Sequence, residues 1–332
     1  MIRLFARLAG VGALAATSVL MLQATAQQNV PPAPAQAPSA PAPTLGASLD
    51  FPKPNPVNFT AASPTPDVVN AFLQSTWGYD TSRAWQVQAI LKTPVEGVSK
   101  VIVLIGDKTG KSKMSAVQFF TMPDGKHIIA GDEILPFGAH PYAENRALLE
   151  QSADGPARGA AAKDLEIVEF ADLQCPHCKE AQPNMDQLAV DFPKARIVFQ
   201  NYPLVRVHPA ALLAAEYGVC VDKLGGSTAF FQFASAVFDG QAGMMTSDGA
   251  TMTLNSAVTK AQLDPAKVAA CAALPATAAE VESSVKLAQS LNVNQTPTLF
   301  INGRMVPMGG LPYATLKQIV EYQAKQDGVS LQ

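Results

Sequence analysis

The hydrophobic pattern along this chain falls into two differently organised stretches. After Thr65-Pro66-Asp67, which reads as a helix start, residues Val68 to Trp77 form a helical run. Strand-like apolar runs follow at Ala84–Lys92, Lys100–Gly106, Ser115–Met122 and His127–Ala130. Pro123-Asp124-Gly125-Lys126 forms a hairpin turn between the last two. Helix followed by antiparallel sheet predicts a small α+β domain over residues 63–151. Glu144 opens a further helix, and Asp154, Gly155 and Gly159 mark a link over residues 152–162. From residue 163 the order changes. A strand (Leu165–Ala171), a helix (Lys179–Val190) and a strand (Ala195–Tyr202) precede a helical block from His208 to about Leu291. A strand (Thr298–Asn302), a short edge strand (Arg304–Val306) and a helix (Pro312–Gln323) close the chain. This is an α/β unit over 163–332, with helices from about 208 to 291 inserted between its two halves.

The N-terminal stretch has other properties. Arg3 and Arg7, the apolar Leu8–Leu22 and the small residues Ala24-Thr25-Ala26 form a secretory signal over residues 1–26. The apolar part is shorter than the roughly 20 residues that a membrane span needs. A cleaved signal is the preferred reading and an uncleaved anchor the alternative. With no cysteine near the cleavage site, a lipid anchor is not expected. Residues 27–62 are rich in Pro and Ala and suit an extended tether. Export would place the protein in the periplasm or another extracytoplasmic space, where disulfides persist.

With 332 residues the chain is long enough for two domains, and its 48% hydrophobic content suits a globular protein. A net charge of −3, with Lys and Arg dispersed, argues against nucleic acid or an anionic membrane surface as partner. His127 and His140 stand alone and read as structural.

The chemistry concentrates at Cys175-Pro176-His177-Cys178. The motif sits where a strand hands over to a helix, so the first sulfur lies at the positive end of a helix dipole. Thiolate is the nucleophile of disulfide exchange, and a site that stabilises thiolate suits that reaction. A zinc site needs four ligands, but Cys220 and Cys271 are isolated. A haem-attachment motif needs His directly after the second Cys, where Lys179 stands. No cofactor or metal is expected. A helix N-terminus supplies about 1 kcal/mol, or up to ~2, which lowers a thiol pKa by roughly one unit. A larger shift needs hydrogen bonds from the Cys178 amide and thiol, with His177 as a donor or cation. Pro176-His177 is therefore a tuning element.

These landmarks, together with Thr296-Pro297 and the helical block, resemble the thioredoxin superfamily in its DsbA-like branch, over Leu165 to Gln323. The resemblance implies a thioredoxin-like fold and a thiol–disulfide oxidoreductase. It assigns Cys175 as nucleophile, Cys178 as resolving thiol and Glu169 as a buried proton-relaying acid. Pro297 becomes a cis-proline, with Thr296 presenting its backbone to substrate. Two features depart from the oxidases. Thr296 is commoner among the isomerases, and Asp124–Ile129 with Gly131 is similar to the end of the DsbC/DsbG dimerisation module. Cys220 and Cys271, both in the inserted block, are expected to pair as a structural disulfide.

The leading expectation is an exported oxidoreductase that introduces or exchanges disulfides in secreted proteins bearing free thiols, with a membrane redox partner regenerating it. An isomerase or reductase, homodimeric through the first domain, is the second reading. A chaperone-like binding module for unfolded exported proteins is the third.

Overall fold

The computed structural model describes residues 50–109 and 113–331. The expected signal and the expected tether as far as residue 49 lie outside the described residues. Helix α1 (Pro66–Trp77) starts as its sequence requires: Thr65 Oγ1 accepts the Val68 N–H, and Pro66 fills the first turn. It buries Val69, Phe72 and Leu73, the i, i+3, i+4 face, against an antiparallel sheet. The sheet runs in the order β1 (Arg83–Lys92), β2 (Ser99–Asp107), β3 (Ser115–Thr121), β4 (His127–Ala130), β5 (Glu133–Pro136). Strand β5 was not expected. Its turn from β4 is only Gly131-Asp132, and Glu133 and Ile134 carry no clear alternation. The expected tether also needs correction at its end. Phe59 and Ala61 pack against this core, and the Thr60 and Ala61 N–H groups both donate to Ile90 O.

Helix α2 (Ala143–Ser152) leads to β6 (Ala157–Gly159). This short strand lies inside the expected 152–162 linker and pairs antiparallel with β8 (Arg196–Asn201). Three residues, one of them glycine, carry no period that would reveal a strand. In the second sheet, β7 (Glu166–Ala171) lies parallel to β8 and antiparallel to β9 (Thr298–Ile301). Strand β10 (Arg304–Pro307) forms the edge beyond β9. All of β7 is buried because helices cover both faces. Ile167 packs with α3 (Pro176–Asp191) and α8 (Tyr313–Gln326). Val168 and Phe170, pointing the other way, pack with Leu149 of α2 and with Leu287 and Ala288 of α7 (Pro275–Ser290).

The inserted block consists of α4 (Ala211–Gly240), α5 (Ser247–Lys260), α6 (Pro265–Ala272) and α7. Helix α4 breaks at Gly226, whose φ of 76° is open to glycine and costly for other residues. Cys220 and Cys271 form a disulfide between α4 and α6, 51 residues apart in sequence. The chain is a thioredoxin-like α/β fold with a helical insertion.

The first sheet and the second belong to one compact unit. Arg304 on β10 is only 5% exposed and joins them. Its guanidinium donates to Ser75 O at 3.0 Å and to Thr76 O, the free carbonyls at the end of α1. It lies 5.1 Å from the ring of Tyr79 and 5.3 Å from that of Tyr142. Neighbouring Gly303 has φ of 82°, and a Cβ there would collide with the Tyr142 carbonyl, so only glycine fits. Arg304→Ala should cost about 3 kcal/mol, since it strands helix-end carbonyls and removes a buried cation from two rings. Arg304→Lys should recover little of this, because one ammonium does not reproduce the planar fork. Urea unfolding midpoints of the two variants against wild type test this.

Candidate active site

The dithiol is built by the junction between β7 and α3. Cys175 is the N-cap residue of α3, with extended backbone (φ −73°, ψ 123°), and Pro176 occupies the first turn. Cys175 O accepts the N–H groups of Cys178 and Lys179. Both cysteines are free and buried. Cys175 Sγ donates to Thr296 O at 3.7 Å, and Cys178 Sγ accepts the Asp172 N–H at 3.4 Å.

The two thiols ionise very differently. Cys175 is held down at about 5, chiefly because the Cys178 thiol donates to its sulfur. Burial opposes this, but the Thr296 hydroxyl and the N–H groups of Cys178 and His177 add to the lowering. Cys178 is pushed well above its usual range by burial, by the bond it donates and by the neighbouring charge. One sulfur therefore carries the charge and the other keeps its proton.

The remaining expected residues take distinct places. His177 is exposed, its Nδ1 3.0 Å from Glu180 Oε2, and that partner raises its pKa; the Cys175 charge adds to the effect. Thr296-Pro297 is a cis peptide, and the Thr296 hydroxyl is buried without a partner in the neutral dithiol. Glu169 is buried and pushed up to about 7 by desolvation. Gln182 Nε2 bridges it to the dithiol, donating to Glu169 Oε1 at 3.2 Å and to Cys178 O at 3.0 Å. The structure thus gathers Cys175, Cys178, Thr296, Pro297 and Glu169 around the start of α3. Cys220 and Cys271 lie apart from them in the helical block.

Sequence reading missed the residues that hold this loop. Gln241 Nε2 donates to both Leu173 O and Cys175 O, at 2.9 and 3.0 Å. Gln174 donates to Met244 O and accepts the Ala210 N–H. Asp172 contacts His208. Only Asp172 carried a local signal, as an acid directly after an apolar strand; the others pair with distant segments.

Fold and dithiol together define a thioredoxin-like protein with a free cysteine pair at the head of α3. The family described as Thioredoxin matches residues 151–322, and the chain belongs to it. Among solved structures, the chain is similar to oxidised BdbD from Bacillus subtilis, at 22% identity and a TM-score of 0.46, over 52% of this chain and 93% of that one. It is also similar to DsbA2 from Pseudomonas aeruginosa, at 27% identity and a TM-score of 0.43, over 51% and 93%. Curated relatives include Na(+)/H(+) antiporter NhaA 3 of Salinispora tropica, 31% identical over 147 residues, 44% of this chain and 21% of that protein. NhaA 1 of Salinispora arenicola is 30% identical over the same shares. The match thus spans about a fifth of these antiporters' length. Among the described residues no helix is long and apolar enough to cross a membrane.

The lowered Cys175 value has a signed consequence for stability. Below pH 5 the thiol is protonated in both folded and unfolded chains and nothing is gained. Between 5 and the usual 9.0 only the folded chain holds thiolate, so the reduced form gains stability as pH rises, by about 3 kcal/mol at pH 7. Thiolate absorbance should titrate near pH 5 in wild type, and Thr296→Val should raise that value by roughly one unit. Glu169 works in the opposite sense. Its raised value means that stability present below its usual 4.5 is lost as pH rises through about 7. Glu169→Gln should therefore unfold at higher urea than wild type at pH 8, by about 3 kcal/mol, with the difference vanishing near pH 4.

Proposed function

We propose that this protein is an exported thiol–disulfide oxidoreductase that introduces or exchanges disulfides in secreted proteins. The observation that carries the reading is the free Cys175–Cys178 pair at the head of α3, with donors facing Cys175 and the core facing Cys178. A thiolate stabilised in the reduced form makes the disulfide a stronger oxidant. Attack by a substrate thiolate on Cys175 forms a mixed disulfide and leaves Cys178 reduced. The substrate's second thiolate then attacks its own sulfur in that bond, which releases the oxidised substrate and Cys175 thiolate. In this reading Glu169, buried and bridged to Cys178 O by Gln182, exchanges the Cys178 proton. Regeneration requires an external acceptor, which we assign to a membrane redox partner. Export rests on the Arg3–Ala26 signal pattern and is supported by the Cys220–Cys271 disulfide, a bond that persists in oxidising compartments.

One observation favours a homodimer through the first sheet, the arrangement that an isomerase would use. Phe120 and Ile134, 36% and 61% exposed, flank Ile129 in one cross-strand row. Sedimentation of the full chain tests the dimer. Redox equilibrium with glutathione separates oxidase from isomerase.

The oxidoreductase reading predicts distinct cysteine variants. Cys175→Ser should abolish oxidation of a dithiol peptide. Cys178→Ser should accumulate mixed disulfides visible by non-reducing electrophoresis. Peptide oxidation that survives in Cys175→Ser would sink the mechanism.

A further inference from the structure

Asp172 sits between β7 and the dithiol, and its side chain is 0% exposed. Its carboxylate is fixed by donors from separate segments. Gln174 N–H donates to Oδ1 at 2.7 Å; Leu204 N–H and His208 Nδ1 donate to Oδ2 at 2.9 and 2.8 Å. A carboxylate only accepts, so Nδ1 carries the ring proton in this bond. The Asp172 N–H donates in turn to Cys178 Sγ. The peptide that touches the buried sulfur is thus fastened, through its own side chain, to the segment between β8 and α4.

We propose that His208 is a positioning residue for exchange at Cys178: by holding the Asp172 carboxylate, it keeps the Asp172 N–H on the sulfur that receives charge when the disulfide opens. The inference rests on the oxidoreductase reading. In the step concerned, a substrate thiolate attacks Cys175 Sγ and the new S–S bond forms. The Cys175–Cys178 bond breaks, and its electron pair stays on Cys178 Sγ, which then takes a proton by way of Glu169, and Glu169 regains one from solvent. The substrate sulfur is oxidised and Cys178 is reduced. Because Cys178 is buried, water contributes little to the charge on the leaving sulfur, and a fixed N–H donor compensates. Removing His208 leaves a buried carboxylate oxygen short of a donor, and the loop relaxes to recover one. The peptide N–H then leaves its alignment with Sγ.

The test uses the oxidised full chain and a peptide carrying a single thiol, with acid quenching to count mixed disulfides. His208→Ala should slow opening by about threefold for each unit by which the Cys178 thiol rises, given that leaving-group dependence is roughly half of full sensitivity. The Cys175 titration should stay where it is. His208→Asn, whose amide N–H reaches the place of Nδ1, should restore most of the rate. A wild-type rate in His208→Ala overturns the proposal. So does a slowing that moves the Cys175 titration in parallel, which would mean general loosening. If His208→Ala does not fold, His208→Gln against His208→Asn decides, because the longer side chain misplaces the donor; equal rates overturn the role. A wild-type chain inert to the peptide would instead remove the oxidoreductase reading itself, whereas active wild type with unaffected variants removes only the positioning role.

Discussion

The active site depends on one constraint: two sulfurs and a carboxyl share a buried space that favours a single negative charge. The Cys178 thiol donates to Cys175 Sγ, and the Thr296 hydroxyl and the N–H groups of Cys178 and His177 at the start of α3 add to it. Once the charge settles there, Cys178 is held neutral by burial, by its bond to Cys175 and by that charge. Glu169, just beneath, meets the same desolvation and titrates near 7. The asymmetry between the cysteines therefore comes from geometry. Both are thiols of the same intrinsic acidity, but one ends a loop facing donors and the other begins a helix facing the core.

Holding that geometry is the work of the helical insertion. The loop between β7 and α3 lies outside the sheet; its own turn bonds hold Asp172 O and Cys175 O, and the insertion adds further bonds to Leu173 O and Cys175 O. Gln241, at the end of α4, takes Leu173 O and Cys175 O together. Gln174 is caught between Ala210 and Met244. The insertion in turn is closed on itself by the Cys220–Cys271 bond and by Phe230 and Phe233 in its core. The N–H groups aimed at Cys175 thus owe their direction to residues far along the chain.

How much of this was legible in sequence follows from range. The apolar stripe of α1, the continuous run of β7 and the Asp124-Gly125 turn are local patterns, and their elements lie within a residue or two of expectation. The cysteine motif is contiguous, so the site could be found without the fold. Strands β5 and β6 are too short to show a period, and β6 exists because β8 has a free edge to pair. Arg304 read as part of a short edge strand; its burial comes from α1 carbonyls and two tyrosines, none of them near it in sequence. His208 likewise stood alone until folding brought it to Asp172. Residues whose partners lie tens of positions away leave no trace in periodicity.

The contact between Cys175 and Thr296 ties ionisation to recognition. As a thiol, Cys175 donates to Thr296 O. A thiolate has no proton to donate, and a disulfide sulfur has none either, so both reactive states release that carbonyl. A negative sulfur also repels it and favours the Thr296 hydroxyl, which has no other partner. Ionisation thus exchanges an acceptor for a donor on the same residue. A backbone carbonyl is freed beside the nucleophile in the states that react, and an extended substrate segment can pair with it through its own N–H. The neutral dithiol keeps the same carbonyl occupied. On the proposed function, capture is thereby coupled to charge through Thr296, whose side chain faces the thiolate and whose carbonyl lies beside it.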